Sequence, residues 1–169
     1  MTVGTLGTKG TRMYFADPAS ASTSDPDGVV IFKVACPTAI QGLGGAGDQI
    51  NITCLDSTEM EYRRGMLNPG QITVPINFIA RSASHQALLA LRESGTTISW
   101  MIVFSDQLSG PTTVDSDDRL VSPGDTSVEF LGYVADLNLD IGLNEIVRGT
   151  VTLQRSGAPV WDLPTADVD

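Results

Sequence analysis

The sequence is poor in the side chains that do chemistry. It holds one histidine, His85, and two cysteines, Cys36 and Cys54, among 169 residues. A Ser-His-Asp arrangement would have to use His85, and no G-x-S-x-G elbow or comparable flank accompanies it. A lone histidine without a Cys, Asp or Glu partner at ligand spacing is most often a surface or packing residue. Two cysteines make no disulfide framework and read as thiols. Cys54 alternates in phase with Ile50 and Ile52, which predicts a buried small hydrophobe. Aromatic residues make up only 6%, which leaves few rings to stack on sugars. No apolar run is long enough to span a bilayer, and residues Met1 to Lys9 lack the basic and apolar regions of a secretory leader. Charge is scarce and one-sided: 18% of residues are charged, 20 acidic against 10 basic, for a formal net charge of -10. Gripping nucleic acid needs clustered Lys and Arg, which this balance argues against. An anionic surface can still face DNA as a wall that lets it pass.

What the chain does have is apolar content, 41%, enough to fill the core of one domain. The apolar residues recur with period two, in short runs separated by Gly, Pro, Asn and Asp clusters, which predicts a mostly β fold. Val30, Phe32, Val34 and Cys36 share one face of a first strand, and Ile50, Ile52 and Cys54 one face of a second. The longest alternation runs through Ile72, Val74, Ile76, Phe78 and Ala80; Pro75 within it predicts an edge strand or a bulge. Residues Ile98 to Phe104 are apolar on both faces and suit a central strand. Between Val128 and Ile141 the apolar phase shifts from even to odd positions, ending on Leu137, Leu139 and Ile141, which predicts a bulge near Ala135 and Asp136. A last strand runs from about Ile146 to Gln154 with Gly149, Val151 and Leu153 on one face. One helix is expected from Ser82, as N-cap, to Gly95, with Ala83, Ala87, Leu88 and Leu91 buried.

The chain reads as one domain over 1–169, with an extended N-terminal segment of about 1–10 and a C-terminal arm of about 156–169 that orders only against a partner. Asp17 to Asp27, Asp56 to Gly70 and Asp106 to Asp125 read as loops, too long for idle connections in a compact domain. The glycine run Gly42 to Gly47 lacks the Lys-Ser/Thr ending and following helix of a phosphate cradle and reads as a turn between strands. Asp115, Asp117 and Asp118 could offer oxygens to a hard cation, but the glycine and bidentate glutamate of an EF-hand loop are absent, so a solvated acidic loop is expected. No cofactor is implied. Open strand edges, long loops and terminal arms together point to self-assembly.

The segments Pro37-Thr38-Ala39-Ile40-Gln41-Gly42-Leu43-Gly44 and Ile50 to Ser57 resemble the opening of the major tail tube proteins of long, non-contractile-tailed, lambda-like bacteriophages. The likeness continues through Asn68-Pro69-Gly70-Gln71-Ile72, Asn77-Phe78, His85 to Leu91 and Gly132-Tyr133-Val134, and closes at Ser156 to Pro159. It implies a two-sheet, sandwich-like or barrel-like β fold with one flanking helix. It also implies hexameric rings that stack into a hollow tube, which houses a tape measure protein, is capped by terminator and distal tail proteins, and passes the genome without binding it. The protein would then be a virion component assembled in the host cytoplasm, without enzyme activity or contact with a membrane. Asp56 to Gly70 corresponds to the family's loop between subunits, which makes Asp56, Glu59, Glu61, Arg63, Arg64, Asn68 and Pro69 interface candidates, with Pro159 and Trp161 in the arm. Three other readings stay open at this level: the tube of a contractile tail or secretion system, a carbohydrate- or Ca²⁺-binding sandwich, and an enzyme whose site the sequence does not display.

Overall fold

A computed structural model describes residues 6–18, 28–106, 109–124 and 126–165. Six strands form one antiparallel sheet in the order β2-β1-β6-β7-β8-β5: β1 Arg12–Asp17, β2 Val30–Lys33, β5 Gln71–Asn77, β6 Ile98–Val103, β7 Ser127–Asp140 and β8 Arg148–Asp162. β3 Gly47–Asn51 and β4 Tyr62–Leu67 pair as a separate two-stranded sheet, and α1 Ala83–Ser94 is the flanking helix. The chain is therefore mostly β with one helix. Its two sheets are unequal and not stacked, because every residue of β3 is exposed.

The larger sheet is curled. β6, β7 and β8 lie between β1 and β5, yet Met13 and Phe15 of β1 share one core with Ile72, Val74 and Ile76 of β5. After β2 the chain crosses from one edge to the other and lies along β5. The Asn77 N–H donates to the Cys36 carbonyl (3.1 Å), Thr38 to Pro75 (2.8 Å), and Gln41 and Thr73 exchange bonds of 3.0 and 2.9 Å. The sheet stays open, but this strap satisfies its β5 edge. Pro75 belongs there for a physical reason. In an antiparallel strand the N–H and C=O of one residue point to the same side, and the Pro75 carbonyl points to Thr38, so the missing N–H costs the β8 ladder nothing.

β6 is buried at every position, as its two apolar faces require, and Trp100 donates its indole N–H to the Gly132 carbonyl at 3.0 Å. The phase change in β7 is a register shift between Val134 and Asp136. α1 ends on Gly95 in the left-handed region (φ 63°), whose N–H reaches the Leu91 carbonyl. Ser82 is the N-cap residue but makes no side-chain cap bond; its hydroxyl pairs with that of Ser84 at 2.9 Å. The buried stripe is centred on Ser84, Leu88 and Leu91, which leaves Ala83, expected inside, exposed at its margin. His85 is fully buried. Its Nδ1 accepts the Ile79 N–H (2.9 Å), so Nε2 carries the proton and donates to the Ala35 carbonyl (2.8 Å) while the ring stacks on Phe78.

Several expectations are corrected. β1 falls between the N-terminal segment of about 1–10 and the stretch from Asp17, where no strand was expected: Met13, Tyr14, Phe15 and Ala16 are all buried, with no alternation, because core lies on both faces of the strand. Asp17 ends this strand rather than opening a loop, and residues 19–27 lie outside the described residues. Cys36 is exposed, since the backbone turns through φ 47° there and leaves the strand. Ile50, Ile52 and Cys54 are exposed, because β3 belongs to the hairpin and has no layer beneath it. Leu139 and Ile141 were expected to keep facing the core, but only Leu137 is buried; Leu139 is paired with Gly149 yet part-exposed, and Ile141 lies beyond the strand. The arm from Ser156 is, up to Asp162, the continuation of β8. It pairs with the start of β7 through Val128↔Trp161 and Ser127↔Asp162, and the irregularity holding Gly157 and Pro159 masks its period.

The acidic stretch is not simply solvated. Leu120 and Val114 cover the second face of the sheet against Tyr14, Met101 and Val103. Arg119 forms a two-pronged ion pair with Glu129, whose Oε1 also accepts the Ser99 hydroxyl at 2.6 Å; the Ser99 oxygen in turn accepts the Leu120 N–H at 3.0 Å. The hydrogen bond to Glu129 raises the Arg119 pKa. Asp115 Oδ1 accepts the N–H groups of Asp117 (2.9 Å) and Arg119 (3.0 Å), and these bonds, that from Arg119 foremost, hold its carboxyl below the usual value.

The base of the β3–β4 hairpin is tied to β8 by the Gln154 Nε2–H and the Arg155 N–H, both donating to the Gly70 carbonyl (3.2 and 3.3 Å), and above all by one charged side chain. Arg155 of β8 is buried, and burial lowers its pKa. It donates Nη1–H to the Leu43 carbonyl (3.0 Å) and Nη2–H to those of Gly44 (2.6 Å) and Pro69. Both chain segments of the hairpin base are thus tied to one guanidinium. Glycine makes the approach possible: a Cβ on Gly45 would meet the Asn68 carbonyl at 2.8 Å, and one on Gly42, at φ 94°, the Gln71 carbonyl at 2.1 Å.

Two predictions arise. Arg155→Ala leaves three carbonyls without this donor and should cost about 3 kcal/mol in denaturant unfolding, with faster exchange of the Asn68 amide that donates to the Ala46 carbonyl. Asp115 favours its folded turn in the ionised form. That contribution is present above its unfolded pKa and fades as pH falls through the lower folded value. NMR shifts of the Asp117 and Arg119 amides should accordingly move on acidification below the usual carboxylate range, and Asp115→Asn should abolish that movement.

Candidate assembly surfaces

The hairpin is built of residues that a solitary chain would be expected to bury. In β3 and β4, Ile50 stands opposite Arg63, Gln49 opposite Arg64 and Asn51 opposite Tyr62, with a register shift between Gly47 and Gln49. The Ile52 N–H continues the ladder to the Glu61 carbonyl at 3.0 Å. Along this ribbon Ile50, Ile52, Leu55, Met60, Tyr62, Met66 and Leu67 are all exposed, Leu55 completely. Burying one such side chain contributes about 1.5–3 kcal/mol, so a few of them suffice to drive association. A two-stranded ribbon alone is marginal in water, and here the fixed base supports it.

The candidate residues fall in three places. Asp56 and Glu59 lie in the turns of the hairpin tip, and Glu61, Arg63 and Arg64 on its exposed returning side. Neither arginine forms an ion pair among the described residues. Asn68 and Pro69 shape the base: the Asn68 N–H bonds the Ala46 carbonyl, its Oδ1 accepts the Gly70 N–H at 3.1 Å, and the Pro69 carbonyl meets Arg155. Pro159 and Trp161 are remote from the hairpin in sequence, on β8, where Trp161 is half-exposed and stacked on Phe104. The segment Asp56 to Gly70 is therefore not a loop but the outer half of a hairpin. Charge and glycine in Tyr62-Arg63-Arg64-Gly65 conceal the strand.

A second apolar patch escaped the sequence reading. Leu139, Ile141, Leu143 and Ile146 are exposed at the turn joining β7 to β8. The signal was present, since the apolar residues continue past Asp140, but the same phase suits a core strand equally well. This patch adjoins the pair Asp140↔Arg148, near the end of β5, whereas the hairpin departs at the start of β5, opposite Gln154. Two unlike sticky surfaces at opposite ends of a strand favour head-to-tail contact, which closes into a ring or extends as a stack according to the rotation between copies.

Among the described residues no group of three or more His, Cys, Asp or Glu is placed to hold a metal ion, and both ring nitrogens of His85 are occupied by backbone. No described helix is long and apolar enough to cross a membrane.

Comparison with known proteins agrees with this geometry. The chain matches the family described as phage tail tube, TTP, lambda-like, over residues 4–165. It is 33% identical over 156 residues, 90% of each chain, to structural protein 3 of Pseudomonas phage PAJU2. Its fold is similar to the SPP1 tail tube protein, with a TM-score of 0.58 at 11% identity over 95% of this chain and 81% of that one. It is also similar to a chain of the sheath–tube complex of the extracellular contractile injection system PVC, with a TM-score of 0.61 at 11% identity over 96% of this chain and 95% of that one. These two likenesses concern the fold alone, which both kinds of assembly share. With the family match covering nearly its whole length, the chain belongs to the lambda-like phage tail tube family and is a structural protein of the virion tail.

Proposed function

We propose that the protein, as one domain over 1–169, forms hexameric rings that stack into a hollow tube through which the phage genome leaves. The observation that carries this reading is the exposed, apolar β3–β4 hairpin held on a buried arginine: a surface prepared for protein and fixed in direction before the partner arrives. Asp56, Glu59, Glu61, Arg63 and Arg64 would contact a neighbouring subunit, as would Pro159 and Trp161; Asn68 and Pro69 would act by shaping the hairpin base. The remaining partners follow from the tube: a tape measure protein inside, terminator and distal tail proteins at the ends. The formal net charge of -10 suits a conduit that passes DNA without adhesion. The role requires neither catalysis nor a cofactor.

The test separates folding from assembly. Ile50→Ser combined with Met66→Ser alters exposed positions and should change monomer stability by no more than about 0.5 kcal/mol. In negative-stain electron microscopy at rising concentration, the parent chain should give rings and tubes and the variant none. A parent chain that stays monomeric, or assembles only with calcium or glycan, would defeat the reading.

A further inference from the structure

A groove elsewhere on the same chain fits the hairpin tip. It has a volume of about 480 Å³ and runs between the N-terminal segment and the strap after β2, with Leu6, Pro37, Ile40, Leu43, Ile102 and Phe104 as its apolar lining. An adjoining hollow of about 350 Å³ shares Thr11 and Pro37 with it and is lined by Arg12, Lys33 and Cys36. Lys9 lies in the turn just before Thr11. Among the described residues no acid lines either hollow, in a chain whose acids outnumber its bases 20 to 10. Two of the ten cations, Arg12 and Lys33, therefore line a hollow beside the apolar trough, and Lys9 is two residues from Thr11, which both hollows share.

The tip of the hairpin has the opposite character. Between Ile52 and Glu61 it carries Asp56, Glu59 and Glu61 with no cation, and its apolar side chains, Leu55 and Met60, are 110% and 72% exposed. Apolar knobs set among carboxylates match an apolar trough flanked by ammonium and guanidinium groups. Electrostatic complementarity of this kind fixes register and suppresses wrong pairings, while the buried knobs supply affinity.

We propose that the groove between the N-terminal segment and the 37–43 strap receives the β3–β4 hairpin tip of a second copy of this chain. Leu55 and Met60 enter the apolar trough, and Asp56, Glu59 and Glu61 face Lys9, Arg12 and Lys33. This rests on the tube reading above and adds to it the receiving surface. The mating is heterologous, tip to groove, so each copy both gives and receives, and the surface left unfilled on a terminal copy is the one onto which growth proceeds.

The two cysteines report on the contact. Cys54 is exposed in the tip and Cys36 is exposed at the groove. Treating assembled tubes with a short bismaleimide should yield covalent ladders joining Cys54 of one copy to Cys36 of the next, identified by peptide mass spectrometry. Cys36→Ser or Cys54→Ser should each abolish the ladder while tubes persist. Lys33→Glu should reduce polymer yield at least tenfold, and adding Glu59→Lys to the same chain should restore it. Tubes that form but link only Cys54 to Cys54, or not at all, overturn the groove assignment and leave the tube reading standing. If the parent tubes give no ladder and assembled Cys54→Ser/Thr165→Cys tubes instead link position 165 to Cys36 of the same copy, the groove belongs to the chain's own C-terminal segment and the assignment is overturned likewise. A chain that never assembles overturns both.

Discussion

A single buried guanidinium clamps both legs of the hairpin that projects from this protein. Arg155 sits on β8, deep in the paired part of the sheet, and its donors reach carbonyls on both legs of a hairpin whose strands touch the sheet nowhere else as a layer. No carboxylate pairs with it among the described residues; backbone dipoles alone compensate the charge. Arginine suits this duty because its planar fork can serve several acceptors at once, where an ammonium acts as a point charge. Gly42 and Gly45 are the complement of that choice, since a side chain at either would push the backbone off the position the clamp requires.

The rest of the fold supplies a platform stiff enough to make that clamp meaningful. The curl of the sheet brings β1 and β5 into one core, and the strap after β2 occupies the edge that the curl leaves open. His85 ties α1 to the ends of both segments that flank it, bonding Ala35 on one side and Ile79 on the other. On the opposite face, the acidic segment is pinned by Arg119 to Glu129, so a stretch rich in carboxylates still buries Leu120 over the sheet. In each case a polar residue does locally what the apolar core cannot: it fixes one arrangement among many that would bury similar area.

What the sequence disclosed, and what it concealed, follows from how the elements are stabilised. β5, β6, the β7 bulge and α1 were legible because their own side chains make the core, and so they carry its period. β1 was not, because burial on both faces erases alternation. β4 was not, because pairing rather than burial holds it, and nothing in Arg63-Arg64-Gly65 announces a strand. The hairpin apolar residues misled for a related reason: Ile50, Ile52 and Cys54 alternate as core residues do, but no layer of the described residues lies over them. Periodicity records that a face will be covered without recording by which chain. The family resemblance, carried by short segments spread along the chain, supplied what periodicity could not.

The chemistry of the exposed hairpin also bears on mechanics. A core closed by a strap, with an arm clamped at its base, leaves little compliance inside a subunit, so a tube built from such parts must bend at the seams between copies. Those seams would be lined by isoleucine, leucine and methionine, whose attraction depends on area removed from water far more than on angle. Methionine in particular adapts its shape to an irregular gap. Such a joint tolerates a small slip on the outer side of a curve and a matching compression on the inner side, with little change in energy. Joints made of aligned hydrogen bonds would break instead. Subunit rigidity and seam softness together describe a conduit that can flex while its bore stays constant.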